Sequence, residues 1–299
     1  MDKTSLNARD DENLRAQALN QFREWISKHP QIRKCRTDDQ FLLRFLRARK
    51  FCVTEACQLL VNYLSRRKML PSIFENLDFK SPEIDFFIQN KSVYILPEVD
   101  KHGRNVLFFD VGQMDPKQCT ALDCLRMCNV LFEHLSIDAR SQTNGVVKVV
   151  DCTNEEFAFV AMWTPAKIKE FSQCWQKTFP ISFAKIYLVN MPSFANVALN
   201  LFKTFISNKL KERIKTVNGW QEVFDDLGRD IFPEEIGGKT PSAKIDELFK
   251  KNLLETREEI LAIGDLDIEV SNTAVNFGNS YDADLDTAIV GSFRKISVD

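Results

Sequence analysis

Between residues 93 and 215, short and nearly unbroken apolar runs alternate with longer segments of helical period. Residues 93–96 and 106–109 flank the turn signal Asp100-Lys101-His102-Gly103 and read as a hairpin. Residues 146–150 and 186–189 are further strand-length runs. Periodicity predicts helices over residues 120–139, 165–178 and 195–215. Strands that alternate with helices of this length build βαβ units, and strands that are apolar on both sides belong to a sheet covered on both faces. The fold class that follows is α/β, with a mainly parallel sheet.

Upstream, the pattern is purely helical. Leu14, Ala18, Phe22, Trp25 and Ile26 recur at helical spacing until His29-Pro30. Thr37-Asp38-Asp39 offers caps for a second helix over residues 40–49, with Phe41, Leu42, Phe45 and Leu46 inward. A third runs over residues 54–67 and stops before Pro71. The basic cluster Arg44, Arg47, Arg49 and Lys50 reads as a solvated helix face. A last amphipathic helix is predicted over residues 242–262, followed by an acidic tail of small residues that is expected to be mobile unless Phe293 and Ile296 dock it. The expected organisation is a helical N-terminal domain (1–75), an α/β lobe (76–240), and a C-terminal helix with its tail (241–299).

Composition narrows the function. Twenty-four Phe against four Tyr and four Trp suit a dry core or a cavity for an apolar ligand. The net charge of −2 gives no global field to recruit nucleic acid, so any anionic surface must be met by a local basic patch. A polar N-terminus, no long apolar run and eight cysteines without a CxxC pair predict reduced thiols and a cytoplasmic setting. His29, His102 and His134 lack metal-ligand spacing and read as turn, cap or surface residues. Phosphate-binding glycine loops and a GxSxG elbow are missing, and Cys124 and Cys128, one helical turn apart, read as packing residues. No catalytic, metal or cofactor set is therefore expected, and the chain is expected to be a monomer. Asp151, at the end of a strand, is the one charged candidate for acid/base chemistry, and it reads more simply as a cap or turn partner.

The most informative stretch is 196–215. Ala198, Leu201, Phe202, Phe205, Ile206, Leu210 and Ile214 recur every three or four residues, and Val197 and Leu199 widen the apolar surface. Lys203, Lys209, Lys211, Arg213 and Lys215 then face only Glu212. On a continuous helix Lys209 and Arg213 would extend the face of Phe202 and Phe205. Two readings stand: a core helix whose end emerges into water, or a stripe that meets lipid.

Four segments carry a resemblance, in order and at matching spacing. They are FLLRFLRARKF (41–51), TNGVVKVVDCTN (143–154), FPISFAKIYLVNMPSFANVALNLFKTFISNKLKERI (179–214) and FPEEIGGK (232–239). Over about residues 22–250 the chain resembles the CRAL-TRIO (Sec14-like) family, in the branch of the α-tocopherol transfer protein, the retinaldehyde-binding protein and the clavesins. The resemblance implies a helical part beside an α/β lobe, with a sheet flooring a pocket for one hydrophobic molecule and no covalent chemistry on it. Pocket positions carried over are Leu125, Cys128, Phe132, Val150, Phe171, Cys174 and Ile186. Cys128 and Phe132 stand where the tocopherol carrier has serines, which leaves retinoid, tocopherol, carotenoid, sterol and phospholipid open. A lid follows Asn190, with Phe194, Leu201, Phe202, Phe205 and Ile206. A basic cleft for a phosphatidylinositol bisphosphate falls on Arg49, Lys209 and Arg213; a fourth family lysine falls on Ser182, a departure from the family, and Lys185 lies nearby in the adjoining strand as a further candidate. The implied partners are the hydrophobic ligand and a phosphoinositide-bearing membrane surface, endosomal or other. Two other readings remain: a lipid-gated adaptor that grips a protein through residues 265–299, and a lipid-modifying enzyme.

Overall fold

The computed structural model describes residues 12–175 and 178–270. Helix α1 (Glu12–Lys28) and the short strand β1 (Ile32–Lys34) lead to α2 (Asp39–Ala48), which Asp38 caps by accepting a 3.0 Å hydrogen bond from the Phe41 amide. Then come α3 (Val53–Met69), α4 (Pro71–Phe74) and α5 (Pro82–Gln89). Arg44 corrects the expectation of a solvated basic face, because it is 1% exposed. Its guanidinium donates to Glu259 and, at 3.3 Å, to the Ser136 hydroxyl. Burial is possible here because the charge has partners on two other helices. Arg47 and Arg49 are half-buried and Lys50 is exposed.

The sheet begins with β2 (Val93–Ile95) and β3 (Asn105–Asp110), paired antiparallel as the hairpin pattern predicts. Helix α6 (Ala121–Ile137) opens on a capping box in which Thr120 and Asp123 satisfy each other's amides. Asp138 ends it two residues early and caps α7 (Ala139–Asn144). Gly145 then turns the chain with φ +75°, where a Cβ would come within 2.8 Å of the Ser182 carbonyl oxygen. Strand β4 (Val146–Asp151), helices α8 (Phe157–Ala161) and α9 (Pro165–Trp175), and strand β5 (Phe183–Val189) follow.

The single helix expected over residues 195–215 is not formed. Helix α10 spans Asn196–Phe205 and ends at Ile206, which is extended (φ −109°, ψ 156°). Ser207 starts a separate short helix, α11 (Asn208–Lys211), by accepting from the Leu210 amide. Ile214–Val217 is strand β6. The β-branched Ile214, Thr216 and Val217 pair in parallel with β5, through bonds such as Ile186 N–H to Arg213 O at 2.8 Å. An apolar spacing that suits a helix served here, in its second half, to place a strand edge.

The sheet order is β2-β3-β4-β5-β6, and all pairs after the first are parallel. Strand period separates two cores. Val106, Phe108, Val147, Val149, Tyr187 and Val189 pack on one face against Val223, Phe224 and Leu227 of α12 (Gln221–Leu227). Leu107, Phe109, Val146 and Ile186 point to the other face and join the main core with α1–α6. Helix α13 (Ser242–Ala262) packs on α6, and β7 (Asp267–Ile268) pairs with β1. The tail, with Phe293 and Ile296, lies outside the described residues.

Candidate functional site

The main-core face of the sheet is not covered completely. A cavity of about 230 Å³ remains above it. Phe109 of β3, Lys148 and Val150 of β4, Ile186 and Leu188 of β5 and Ile214 of β6 form the floor. Register explains the set: Phe109 lies beside Val150 and Val150 beside Leu188, while Lys148 lies beside Ile186 and Ile186 beside Ile214. One wall comes from Phe87 of α5 and Cys124, Met127 and Cys128 of α6. The opposite wall comes from Phe159, Val160 and Trp163 around α8, and Ile168 and Phe171 of α9. Helix α10 closes the space with Ala198, Leu199 and Phe202, and packs on α9; the Phe202 and Phe171 rings lie 5.8 Å apart.

Two ionisable groups besides the cysteines line this cavity. Lys148 is 7% exposed, and its ammonium lies 4.1 Å from the centroid of the Phe109 ring and 5.8 Å from that of Phe171. Burial holds its pKa below the ordinary lysine value. Burial pushes the Glu155 carboxyl up to about 7, partly offset by a hydrogen bond with Cys152, and its Oε2 is buried without a hydrogen-bond partner. Burial also raises the Cys128 and Cys152 thiols, which keeps them neutral. The lining is therefore apolar and soft, with one amine in its floor.

The expected pocket residues divide. Cys128, Val150, Phe171 and Ile186 line the cavity. Leu125, Phe132 and Cys174 are buried in the core outside that lining. Phe132 belongs to an aromatic seam: its ring lies 5.3 Å from Phe179 and 5.4 Å from Phe183, and Phe179 continues through Tyr63 to Phe45 and Phe22. The N-terminal helices cover it. Among the expected lid residues, Phe202 faces the cavity, Ile206 is buried at the break, and Leu201 and Phe205 are half-buried. Phe194 packs edge-on against Phe157 at 5.7 Å. Phe157 is 67% exposed and Val197 76%, so an apolar patch lies outside the cavity at the start of α10. Phe157 and Lys148 were not singled out from sequence. A lysine that interrupts the run VVKVVD on the floor parity was the available signal.

The basic residues sort differently. Lys209 is exposed on α11, and Arg213, half-buried, donates to the Phe183 carbonyl. Both lie on the segment that enters β6. Arg49 ends α2, which packs on α7, the helix that leads into β4. Burial pushes the Arg49 pKa down and Glu55 partly restores it. These three lie toward the end of the sheet where the parallel strands begin. Lys185 is committed elsewhere: it shares the parity of Tyr187, on the sheet face away from the cavity, and bonds Asp226 and the Tyr187 hydroxyl, each at 3.0 Å. Asp151 accepts from the amide and hydroxyl of Thr153 at 2.9 and 2.6 Å, which is a turn role, and it is not part of the lining. His134 is half-buried, with Nδ1 2.7 Å from the Thr256 hydroxyl, rather than a surface or turn residue.

The stretch that builds the five-stranded sheet, the cavity above it and the helix closing that cavity is matched by a model of the CRAL/TRIO domain over residues 89–238. The chain belongs to the CRAL-TRIO family. A model of the Pinta-like UBA domain matches residues 11–84, the helical part that buries the aromatic seam. Clavesin-1 of Xenopus laevis is 30% identical over 242 residues, which cover 81% of this chain and 73% of that protein. Clavesin-2 of Homo sapiens is 28% identical over 242 residues, with coverage of 81% and 74%. The crystal structure of Sfh5 superposes with a TM-score of 0.50 at 14% identity, over 84% of this chain and 99% of that one. CRAL-TRIO proteins bind and transfer lipids. Among the described residues, no helix of this family member is long and apolar enough to cross a membrane.

Proposed function

We propose that this CRAL-TRIO protein acts in the cytoplasm as a monomeric carrier, encloses one hydrophobic molecule above its sheet, and releases it at phosphoinositide-bearing membranes without altering it covalently. The observation that carries this reading is the apolar cavity closed by α10, whose outer side continues into the exposed patch of Phe157 and Val197. Enclosing roughly 400 Å² of apolar ligand surface supplies on the order of 10 kcal/mol gross at ~25 cal/mol/Å². The ordering cost of association takes back a large share of it. A ligand so held leaves slowly unless the closed state is destabilised.

The break at Ile206 supplies the means. It joins α10 to α11, so a head group bound at Lys209 and Arg213 acts directly beside the C-terminal end of the closing helix. Charge-assisted hydrogen bonds to phosphate suit lysine and arginine. Head-group binding and cargo retention are then coupled, and the coupling is reciprocal.

Native mass spectrometry after incubation with a lipid extract, followed by extraction of the bound species, tests the cargo. One stoichiometric apolar lipid is the expected result, and an empty protein that still binds vesicles points instead to an adaptor. Transfer between vesicles tests the trigger. Lys209→Ala with Arg213→Ala should lose most phosphoinositide-stimulated transfer and keep loading in solution, whereas Lys185→Met should keep both. Equal loss of loading and transfer in the double variant rules out the coupling.

A further inference from the structure

We propose that the cavity selects an apolar molecule that carries a hydroxyl group, which hydrogen-bonds the buried Oε2 of Glu155. The proposal rests on the carrier reading and gives its ligand a chemical class. Glu155 lines the cavity and is half-buried, and its Oε2 is closed to solvent with no hydrogen-bond partner among the described residues. A buried oxygen without a donor is costly, and a ligand that supplies one removes the cost. The turn that carries this carboxyl is braced. It follows β4, with the Cys152 amide bonded to the Val189 carbonyl at 2.9 Å and the Glu155 amide to the Cys152 carbonyl at 3.1 Å. Asn154 lies in the left-handed region at φ +61°, which asparagine tolerates. Asn190 donates to the Thr153 hydroxyl at 2.9 Å, and that hydroxyl donates in turn to Asp151. Gly112 leaves room for the turn, since a Cβ there would come within 2.5 Å of the Thr153 carbonyl oxygen. A carboxyl on a backbone fixed in this way loses little further freedom when a ligand arrives.

Chemistry narrows the head group. Burial pushes the Glu155 carboxyl up to about 7, and a hydrogen bond with Cys152 opposes that shift only in part. Acid and carboxylate are therefore both populated near neutrality. A hydroxyl serves each form, because it donates to the carboxylate and accepts from the acid. A carbonyl or an ether can only accept, and so serves the acid alone. An amine would bring a cation into surroundings that disfavour charge, above a floor that already holds the Lys148 ammonium. Position follows as well. Glu155 stands beyond the C-terminal end of β4, whereas Lys209 and Arg213 lie on the segment that enters β6, where the parallel strands begin. The hydroxyl is held at the end of the cavity remote from those basic residues, and the apolar remainder lies along the floor toward Ile186 and Ile214.

Oleyl alcohol, oleyl methyl ether, methyl oleate and oleylamine, compared on the full chain by native mass spectrometry and displacement of a fluorescent fatty probe, test the head group. The alcohol should bind at least about tenfold more tightly than each of the others. Glu155→Leu should erase that preference while ether binding stays within about threefold, and Glu155→Gln, which keeps a donor and an acceptor, should retain a part of it. In protein labelled with 13C at the glutamate carboxyls, the resonance that Glu155→Gln removes should shift when the alcohol is added and stay in place with the ether. Alcohol binding no tighter than that of any other probe, an unmoved carboxyl resonance, or an extracted cargo without a hydroxyl overturns the proposal and leaves the carrier reading standing. Failure of all four probes to bind, in a protein that also takes up nothing from a lipid extract, overturns both.

Discussion

The phenol of Tyr63 donates a 2.7 Å hydrogen bond to the carboxylate of Glu133, which is 0% exposed. The same oxygen accepts from Arg67 at 3.0 Å, and Arg67 also donates to the Phe74 carbonyl. Burial raises the Glu133 pKa while Arg67 opposes the shift. The pair joins α3 of the N-terminal helices to α6 of the lobe.

Removing one partner of such a pair leaves the other charge buried alone. Glu133→Ala should therefore cost about 3–5 kcal/mol in urea unfolding. Tyr63→Phe keeps Arg67 and Glu133 together and should cost about 1.5–3 kcal/mol, the range for a hydrogen bond to a charged group. The order of the two losses is the sharper expectation, and a Tyr63→Phe variant weaker than Glu133→Ala would contradict it.

Two half-buried groups give opposite pH slopes. His134 is pushed down to about 4 by burial, against about 6.5 when unfolded. Between those values the unfolded state binds more protons, so stability contributed by neutral His134 is lost as pH falls from about 6.5 toward 4. Glu155 is pushed up to about 7, against about 4.3 unfolded. There the folded state binds more protons, so its contribution is lost as pH rises from about 4.3 to 7. His134→Gln should flatten the first slope and Glu155→Gln the second, read from urea midpoints at closely spaced pH values.

The exposed patch makes a separate prediction. Phe157 and Val197 gain nothing from their exposure in water, and each apolar side chain that enters a bilayer gains about 1.5–3 kcal/mol. Phe157→Ser should therefore weaken sedimentation with neutral phosphatidylcholine vesicles by about tenfold, and Val197→Ser by less. Both should leave the thermal midpoint unchanged. Unaltered vesicle binding in the double variant would place the membrane contact elsewhere.

Much of the fold could be read from the chain alone. The strands at 93, 106, 146 and 186 each fall on a predicted apolar run, because a parallel sheet covered on both faces demands such runs whatever surrounds it. The hairpin, the cap at Asp38 and the final helix were local in origin and therefore visible. Helix period failed at residues 206–217. Spacing of three to four cannot distinguish a helix from a short helix followed by a strand, and the open edge of β5 settled the matter by offering backbone partners to β6.

The site was less legible, and the contrast between Phe132 and Phe171 shows why. Both are apolar aromatics on helices of the lobe, yet Phe132 is sealed under Tyr63 and Phe179 while Phe171 lines the cavity. Lys148 and Lys185 divide the same way: strand parity sends one to the cavity floor and the other to Asp226 on the opposite face. The chain by itself determined where strands β2 to β5 and the longer helices lie, which residues share a strand face, and the family to which they belong. Tertiary structure alone decided which of those faces would be covered, left open or charged. Periodicity is a property of neighbouring residues, whereas burial depends on what distant segments bring over them, as α13 brings Glu259 to Arg44.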